Sequence, residues 1–256
     1  MNEEQSAILK LAESGHNLFL TGQAGTGKTF TLCKIVSSLQ INGRNVVITA
    51  STGKAASVLK DKIDTPCTVT TIQHRFSGIL DGRYGNEELV NLMFGSEMYE
   101  TQRCNIINTD TLIIDEISMI SSKTFTQLEY IFRNIRQNDK LFGGIQMIVA
   151  GDLGQLPPVP NVEYDDDGSF FIASNFINSF HVVQLHIVQR QEEEDLIQAI
   201  NEVASGSISV ETDNLLRRLK RTLPPGEEPV KLFSLNFDVD VCNARLLGDL
   251  EGNLMF

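Results

Sequence analysis

The chain has 256 residues, of which 41% are hydrophobic and 21% charged, and this composition excludes a disordered, collagen-like or coiled-coil protein. The net charge of −12 by itself argues against a nucleic-acid-binding protein, although residues 16–75 carry seven basic and only two acidic side chains. The cysteines and histidines lack zinc-ligand spacing, and no apolar run is long enough to predict a transmembrane helix.

The predicted elements begin with a helix over the first 16 residues, which Asn2 caps and Gly15 ends. Helical periodicity returns at Thr29–Leu39 and Ser121–Gln137. Between these helices lie apolar runs typical of strands buried on both faces, namely Asn17–Leu20, Val46–Ala50, Thr111–Ile114, Gln146–Ala150 and Val182–Leu185. This alternation predicts an α/β fold with a doubly wound parallel sheet flanked by helices.

Other segments depart from this alternation. Residues 78–109 contain several glycines and are predicted to form an insertion of loops and short helices. Residues 161–169 are predicted to form an exposed acidic loop. The C-terminal part is predicted to hold two helices, a strand and an apolar helix, at Glu192–Ala204, Thr212–Arg221, Val230–Leu235 and Val239–Leu250.

A phosphate-binding motif follows the first predicted strand, because the sequence GQAGTGKT matches the pattern GxxxxGK[ST]. Its glycines let backbone N–H groups approach phosphate oxygens, and the N-terminus of the following helix favours negative charge. Lys28 is expected to reach the β- and γ-phosphates of ATP, and the Thr29 hydroxyl is expected to ligate Mg²⁺. The alternative is a glycine-rich turn without a ligand. The predicted nucleotide-binding residues are Gly22, Gln23, Ala24, Gly25, Thr26, Gly27, Lys28 and Thr29.

Polar residues after two later strands complete the predicted site. Asp115 is expected to hold Mg²⁺, directly or through water, and Glu116 to orient or deprotonate the attacking water. Gln155 is placed to sense the γ-phosphate or its water. The prolines within residues 157–160 have an alternative interpretation, which is a PxxP ligand in an exposed extended segment.

The ordered series of motifs resembles the Pif and RecD helicases of superfamily one, group B, and the segments LIIDEISM and GDLGQLPPV match the Pif branch better. The N-terminal MNEEQ is similar to the family's adenine-reading motif, which implies that Gln5 reads the base. Thr49–Ala56 is similar to the motif that grips single-stranded DNA, and Gln189-Arg190-Gln191 implies that Arg190 is an arginine finger. Residues 232–243 resemble the opening of a second motor lobe.

The resemblance implies a RecA-like P-loop domain over residues 1–187, followed over 188–256 by linker helices and the start of a truncated second RecA-like lobe. The family's TIHSF element is present with one extra residue before the histidine. Lys60 and Lys62 lie beside the DNA-type motifs, either as a solvated surface or as DNA contacts. The implied catalytic residues are Lys28, Glu116, Gln155 and Arg190, and the implied DNA-binding residues are Thr52, Lys54, His74, Arg75 and Phe76.

The function implied is that of an ATP- and Mg²⁺-dependent 5′-to-3′ DNA helicase, which moves on single-stranded DNA and unwinds fork or partial-duplex DNA in repair, recombination and telomere maintenance. We expect a monomer that acts inside the cell, in the nucleus if eukaryotic and in the cytoplasm if bacterial or viral. We also expect weak activity of the chain alone, because the sequence stops before the rest of the second lobe. Two alternatives remain: an ATP- and single-strand-binding module without turnover, and another P-loop ATPase that acts on protein or RNA.

Overall fold

The fold is taken from a computed structural model, in which the chain divides into two compact units, residues 1–200 and 201–256. The residues that the structure describes are 1–63, 65–79, 83–189, 193–221 and 230–248. The strands are β1 (Leu18–Gly22), β2 (Val46–Ala50), β3 (Thr68–Thr71), β4 (Thr111–Asp115), β5 (Gln146–Gly151) and β6 (His181–Leu185). The helices are α1 (Glu3–Glu13), α2 (Lys28–Ile41), α3 (Gly53–Lys60), α4 (Asn86–Gly95), α5 (Glu100–Asn108), α6 (Ser122–Ile135), α7 (Glu194–Ser205), α8 (Val210–Leu219) and α9 (Asn236–Gly248).

The six strands form one parallel sheet in the order β3-β2-β4-β5-β1-β6, which confirms the predicted fold class. Because all strands run in one direction, their carboxyl ends meet at the same edge, where α/β proteins bind ligands. Gly22, Asp115 and Gly151 end the three central strands there. Strand β3 was not predicted, because its sequence TVTT is polar and only partly buried at the edge of the sheet.

Side chains that alternate along each strand enter two separate hydrophobic cores. Phe19, Leu112 and Val149 pack on one face, together with apolar residues of α4, α5 and α6. Leu18 and Ile113 pack on the other face, together with apolar residues of α1, α2 and α3. The strands read as continuous apolar runs because both faces of the sheet are covered by helices.

The first helix begins and ends as predicted. Asn2 Oδ1 accepts a hydrogen bond from the Gln5 backbone N–H at 2.8 Å, and Gln5 Oε1 accepts one from the Asn2 N–H at 3.1 Å. This reciprocal capping box fixes the Gln5 side chain at the start of α1. Gly15 follows the helix with a φ of +85°, a backbone conformation that favours glycine.

The buried side chain of Gln146 holds the end of α1 against the sheet. Its Nε2 donates hydrogen bonds to the carbonyl oxygens of Ala12 and His16, both at 2.8 Å. Its Oε1 accepts hydrogen bonds from the Thr111 hydroxyl at 3.0 Å and from the Arg44 guanidinium. One amide therefore joins α1 to β4 and β5 at the edge of the sheet opposite the phosphate-binding loop.

The C-terminal prediction is only partly correct. Helices α7 and α8 match the two predicted helices closely. The strand predicted at Val230–Leu235 is wrong, because this segment has no regular structure. A strand needs a neighbour to pair its N–H and C=O groups, and residues 201–221 and 230–248 contain none. The domain boundary predicted at residue 187 stays a prediction.

No helix in the described part of the chain has the length and apolarity that a bilayer crossing requires.

Replacing Gln146 by alanine tests how α1 is held. The variant removes a buried side chain that donates to the carbonyl oxygens of Ala12 and His16 and accepts from Thr111 and Arg44, so we expect the free energy of unfolding to fall by about 2–3 kcal/mol. Urea unfolding followed by circular dichroism measures the loss. The matched control is Asn91→Ala at an exposed position of α4, which should change stability by less than ~0.5 kcal/mol. Equal stability of the two variants would contradict this role of Gln146.

Candidate functional site

The loop between β1 and α2 has a backbone that only glycine adopts without strain. Gly22, Gly25 and Gly27 have φ angles of +146°, +87° and +88°. A Cβ atom on Gly22 would lie 2.5 Å from the carbonyl oxygen of Leu185, and one on Gly27 would lie 3.0 Å from Gln5 Nε2. The loop is therefore fixed by β6 on one side and by the capping residue of α1 on the other. Gln5, the predicted adenine-reading residue, is buried at this point.

The lysine and threonine that end the motif have different hydrogen-bond partners. Lys28 Nζ donates hydrogen bonds to the carbonyl oxygens of Gly22 at 2.6 Å and Gln23 at 3.1 Å. The Thr26 hydroxyl donates to the same Gln23 oxygen at 2.9 Å. The Thr29 hydroxyl donates to Asp115 Oδ2 at 3.2 Å. The loop thus holds an ammonium group at its mouth and a hydroxyl beside a carboxylate.

Asp115 is a buried carboxyl group at the end of β4, with 5% of its surface exposed. Burial raises its pKa, because desolvation disfavours the charged form. Hydrogen bonds from the Glu116 N–H at 3.0 Å and from the Thr29 hydroxyl act in the opposite direction. The positive charges of Lys28 and Lys62 also lower the pKa. The Asp115 carboxyl group is therefore largely removed from water and has two lysines among its neighbours.

Glu116 has an unusual backbone for a residue with a side chain. Its φ of +56° and ψ of +44° lie in the left-handed region, which costs of order 1–3 kcal/mol and is concentrated at functional sites. Burial raises the pKa of its carboxyl group, and the negative charges of Asp115 and Asp152 raise it further, while Lys28 lowers it. A carboxylate with a raised pKa accepts a proton more readily than an ordinary glutamate.

These side chains meet in a cleft of about 610 Å³ at the carboxyl edge of the sheet. Eight of the predicted residues line it, among them Lys28, Thr29, Asp115, Glu116 and Gln155. Gln155 is held from the turn after β5, where its Nε2 donates to Asp152 Oδ2 at 3.4 Å. The remaining described residues of the lining are Ala24, Gly25, Gly27, Phe30, Lys62 and Gln189.

Sequence reasoning missed three of these lining residues as parts of the nucleotide site. Phe30 is 47% exposed, and the Lys34 ammonium lies 5.3 Å from its ring centroid. The Gln189 N–H donates to the Gly25 carbonyl oxygen at 2.7 Å, which brings this segment to the phosphate-binding loop. Lys62 comes from the connection between α3 and β3, and its place follows only from the fold. Arg190, the predicted arginine finger, lies outside the described residues.

A second pocket, of about 620 Å³, adjoins the cleft. Two predicted DNA-binding residues line it, Thr52 and Lys54, at the start of α3. The Thr52 hydroxyl also caps this helix by accepting a hydrogen bond from the Ala55 N–H at 3.2 Å. Glu116 and Gln155 line both the pocket and the cleft. The other residues of the pocket are Ala55, Ser118, Met119, Gly154, Leu156 and Pro157.

The extra residue in the TIHSF-like element forms part of a π-helix over Ile72–Ser77. A π-turn holds one more residue than an α-turn, and the Ser77 hydroxyl bonds back to the Ile72 carbonyl oxygen at 2.8 Å. The predicted DNA contact of Phe76 is corrected: this side chain is fully buried and packs edge-on against Phe132 in the core. Arg75 is exposed, and the side chain of His74 lies outside the described residues.

Replacing Asp115 by asparagine tests the cost of the buried charge. Because burial raises the pKa of Asp115, the folded protein binds a proton there more tightly than the unfolded chain. The charge therefore destabilises the fold above the raised pKa, and this effect disappears as the pH falls toward the ordinary aspartate value. We expect the nucleotide-free variant to be more stable by about 1 kcal/mol near neutral pH.

The measurement is urea unfolding of Asp115→Asn and the unsubstituted chain across a pH series. The asparagine keeps an oxygen that can accept the Glu116 N–H, so the loss of charge is the main change. A variant less stable than the unsubstituted chain at neutral pH would contradict the prediction, because the contacts of Asp115 would then outweigh its burial.

Known proteins resemble this chain over nearly all of its length. The sequence model of the PIF1-like helicase family matches residues 1–214. The ATP-dependent DNA helicase PIF1 of Saccharomyces cerevisiae is 35% identical over 260 residues, which cover 99% of this chain and 29% of the yeast protein.

Two solved structures share the fold. The crystal structure of Pif1 helicase from Candida albicans has a TM-score of 0.84 and 32% identity, and the match covers 99% of this chain and 56% of that one. The Bacteroides Pif1 helicase in complex with ADP-AlF3 and single-stranded DNA has a TM-score of 0.82 and 29% identity, with 98% and 58% covered. The chain thus spans just over half of the solved chains and under a third of the yeast protein.

Proposed function

The chain belongs to the PIF1-like helicase family, and on that premise we propose that it is the nucleotide-hydrolysing lobe of an ATP-dependent DNA helicase. The main support for the proposal is that the nucleotide cleft and the second pocket share lining residues. The cleft holds the phosphate-binding loop and two carboxylates, and the adjoining pocket holds two predicted DNA contacts. Glu116 and Gln155 line both, so that nucleotide and DNA would be sensed by the same side chains.

The phosphate chain of ATP binds in the loop that begins at Gly22. Its oxygens accept hydrogen bonds from backbone N–H groups of the loop and from the start of α2, which favours negative charge. The Lys28 ammonium exchanges its hydrogen bonds to the Gly22 and Gln23 carbonyl oxygens for phosphate oxygens. Gln5 lies beside Gly27, where the base-proximal end of the loop is supported by α1.

The oxygen ligands at the start of α2 and at the carboxyl end of β4 fit Mg²⁺. Thr29 and Asp115 would hold the ion, since a hydroxyl and a carboxylate are the hard donors that Mg²⁺ prefers, and their side chains already contact each other at 3.2 Å. When bound, the ion neutralises charge on the β- and γ-phosphate oxygens.

Glu116 is the general base in this proposal. Its raised pKa makes it a better proton acceptor for the attacking water, and Gln155 at the same cleft orients that water. Glu116 lines the cleft and has a left-handed backbone directly before the following 3₁₀ turn. Arg190 supplies the arginine finger by resemblance, and this role stays a prediction.

Single-stranded DNA binds at the adjoining pocket. The Lys54 ammonium and the Thr52 hydroxyl, at the N-terminus of α3, can each contact a DNA phosphate. Met119 and Leu156 have exposed apolar surface on which a base can stack. Binding there contacts the two residues that also face the nucleotide, which gives DNA a route to stimulate hydrolysis. The 5′-to-3′ polarity, the monomeric state and the roles in repair and telomere maintenance follow from the family resemblance alone.

DNA-stimulated ATP hydrolysis tests the proposed function. Glu116→Gln removes the base but preserves the shape of the side chain, so we expect ATP binding within about threefold of the unsubstituted chain and a hydrolysis rate at least ~100-fold lower. Lys28→Ala should abolish nucleotide binding. Binding without any hydrolysis by the unsubstituted chain, with or without DNA, would favour a nucleotide- and DNA-binding module instead.

The salt dependence of DNA binding tests the pocket. Lys54→Ala should weaken binding of single-stranded oligonucleotides of every sequence and reduce the slope of log K against log salt concentration by about one, since one phosphate contact is lost. Fluorescence anisotropy across a salt series measures both. The matched control is Lys10→Ala, at an exposed position of α1 that is not part of the pocket lining. An unchanged slope for Lys54→Ala would remove this lysine from the DNA site.

A further inference from the structure

The place of Lys62 in the fold differs from what its sequence context indicates. In the sequence Lys62 follows the DNA-type motif, which predicts either a solvated surface residue or a DNA contact. In the structure it lines the nucleotide cleft together with Lys28, Thr29 and Asp115. Lys60, two residues earlier at the end of α3, is also exposed but is not part of that lining. The two lysines are therefore separated by the fold.

The charge balance of the cleft favours a second cation. Two carboxyl groups, Asp115 and Glu116, line it, and a nucleoside triphosphate would add several more negative charges. Among the described residues of the lining, only Lys28 and Lys62 are cationic. Lys28 belongs to the phosphate-binding loop, where its ammonium contacts the Gly22 and Gln23 carbonyl oxygens, whereas Lys62 brings its charge from a different segment of the chain.

The position of Lys62 also suits a mobile charge. Its side chain is exposed, and within the described ranges it forms no ion pair that would hold it away from the cleft. It lines the same cleft as Thr29 and Asp115, whose side chains contact each other at 3.2 Å. A lysine is a compact point charge on a flexible four-carbon stem, so it can reach a phosphate oxygen without a fixed hydrogen-bond geometry.

We propose that Lys62 binds the terminal phosphates of the nucleotide as a second lysine beside Lys28. This inference rests on the proposed function, since it assigns a further residue to the same nucleotide site. It removes Lys62 from the set of possible DNA contacts and gives the α3–β3 connection a direct part in nucleotide binding.

The test is titration of the full chain with a fluorescent ATP analogue and Mg²⁺ at low and high salt. We expect Lys62→Ala to weaken binding about three- to tenfold at low salt and less at high salt, because exposed charges are screened. Lys62→Arg keeps the charge and should stay within about twofold of the unsubstituted chain. The matched control Lys60→Ala should leave the affinity unchanged. Thermal melts of each variant confirm that the fold is retained.

Three outcomes overturn the inference. Lys62→Ala equal to Lys60→Ala in nucleotide affinity would show that the charge does not reach the phosphates. A failure of Lys62→Arg to restore affinity would show that the alanine variant acts through local structure. A loss of oligonucleotide affinity in Lys62→Ala with unchanged nucleotide affinity would return this residue to the DNA side. If Lys28→Ala also leaves nucleotide affinity intact, the proposed function itself fails, and the two failures are thereby distinguished.

Discussion

The burial of one carboxyl group, that of Asp115, sets the arrangement on which the rest of the site depends. An anion at 5% exposure is stable only with donors and cations around it. They come from separate segments: the Thr29 hydroxyl from the phosphate-binding loop, and the N–H of Glu116 from the residue that follows. The loop and the end of β4 can meet because β5 pairs with both β1 and β4 in parallel register. The order of the strands thus brings the phosphate-binding loop and the end of β4 together, and the Asp115 carboxylate connects them through its hydrogen bond from Thr29.

The Asp115 carboxylate also contacts the residue with the left-handed backbone, Glu116. The Glu116 N–H turns back to Asp115 Oδ1, and the backbone of Glu116 takes a left-handed conformation. This turn leads into the short 3₁₀ segment that carries Ser118 and Met119 to the second pocket. The end of β4 and the residues after it therefore supply the proposed Mg²⁺ ligand Asp115, the proposed base Glu116 and part of the lining of the second pocket. In the proposed function a change in the nucleotide has a short physical path to the pocket, because Glu116 lines both sites and the 3₁₀ segment follows it directly.

The sequence predicts those parts of the molecule whose cause is local. The central strands are apolar because helices cover both faces, and the glycines of the loop are required by its backbone, so both are predictable. Strand β3 has no such signal, because it is a polar edge strand that its pairing with β2 defines. Phe76 was misassigned because the π-turn that rotates it into the core is a consequence of tertiary packing. Lys62 and Gln189 reach the cleft through connections whose course the sequence does not specify.

The net charge of −12 is a poor guide to ligand binding for a related reason. At physiological salt, charges separated by more than about 8 Å are largely screened, so the potential in the cleft depends on the few groups that line it. Several acidic residues outside the cleft are satisfied locally: Asp166 accepts the Ser121 hydroxyl at 2.5 Å, and Asp167 accepts the N–H and hydroxyl of Ser169, both at 2.8 Å. Their charges support a loop rather than repel a phosphate at a distant site. We therefore expect a lysine that the fold places at the cleft, such as Lys62, to affect nucleotide affinity more than the net charge of the whole sequence does.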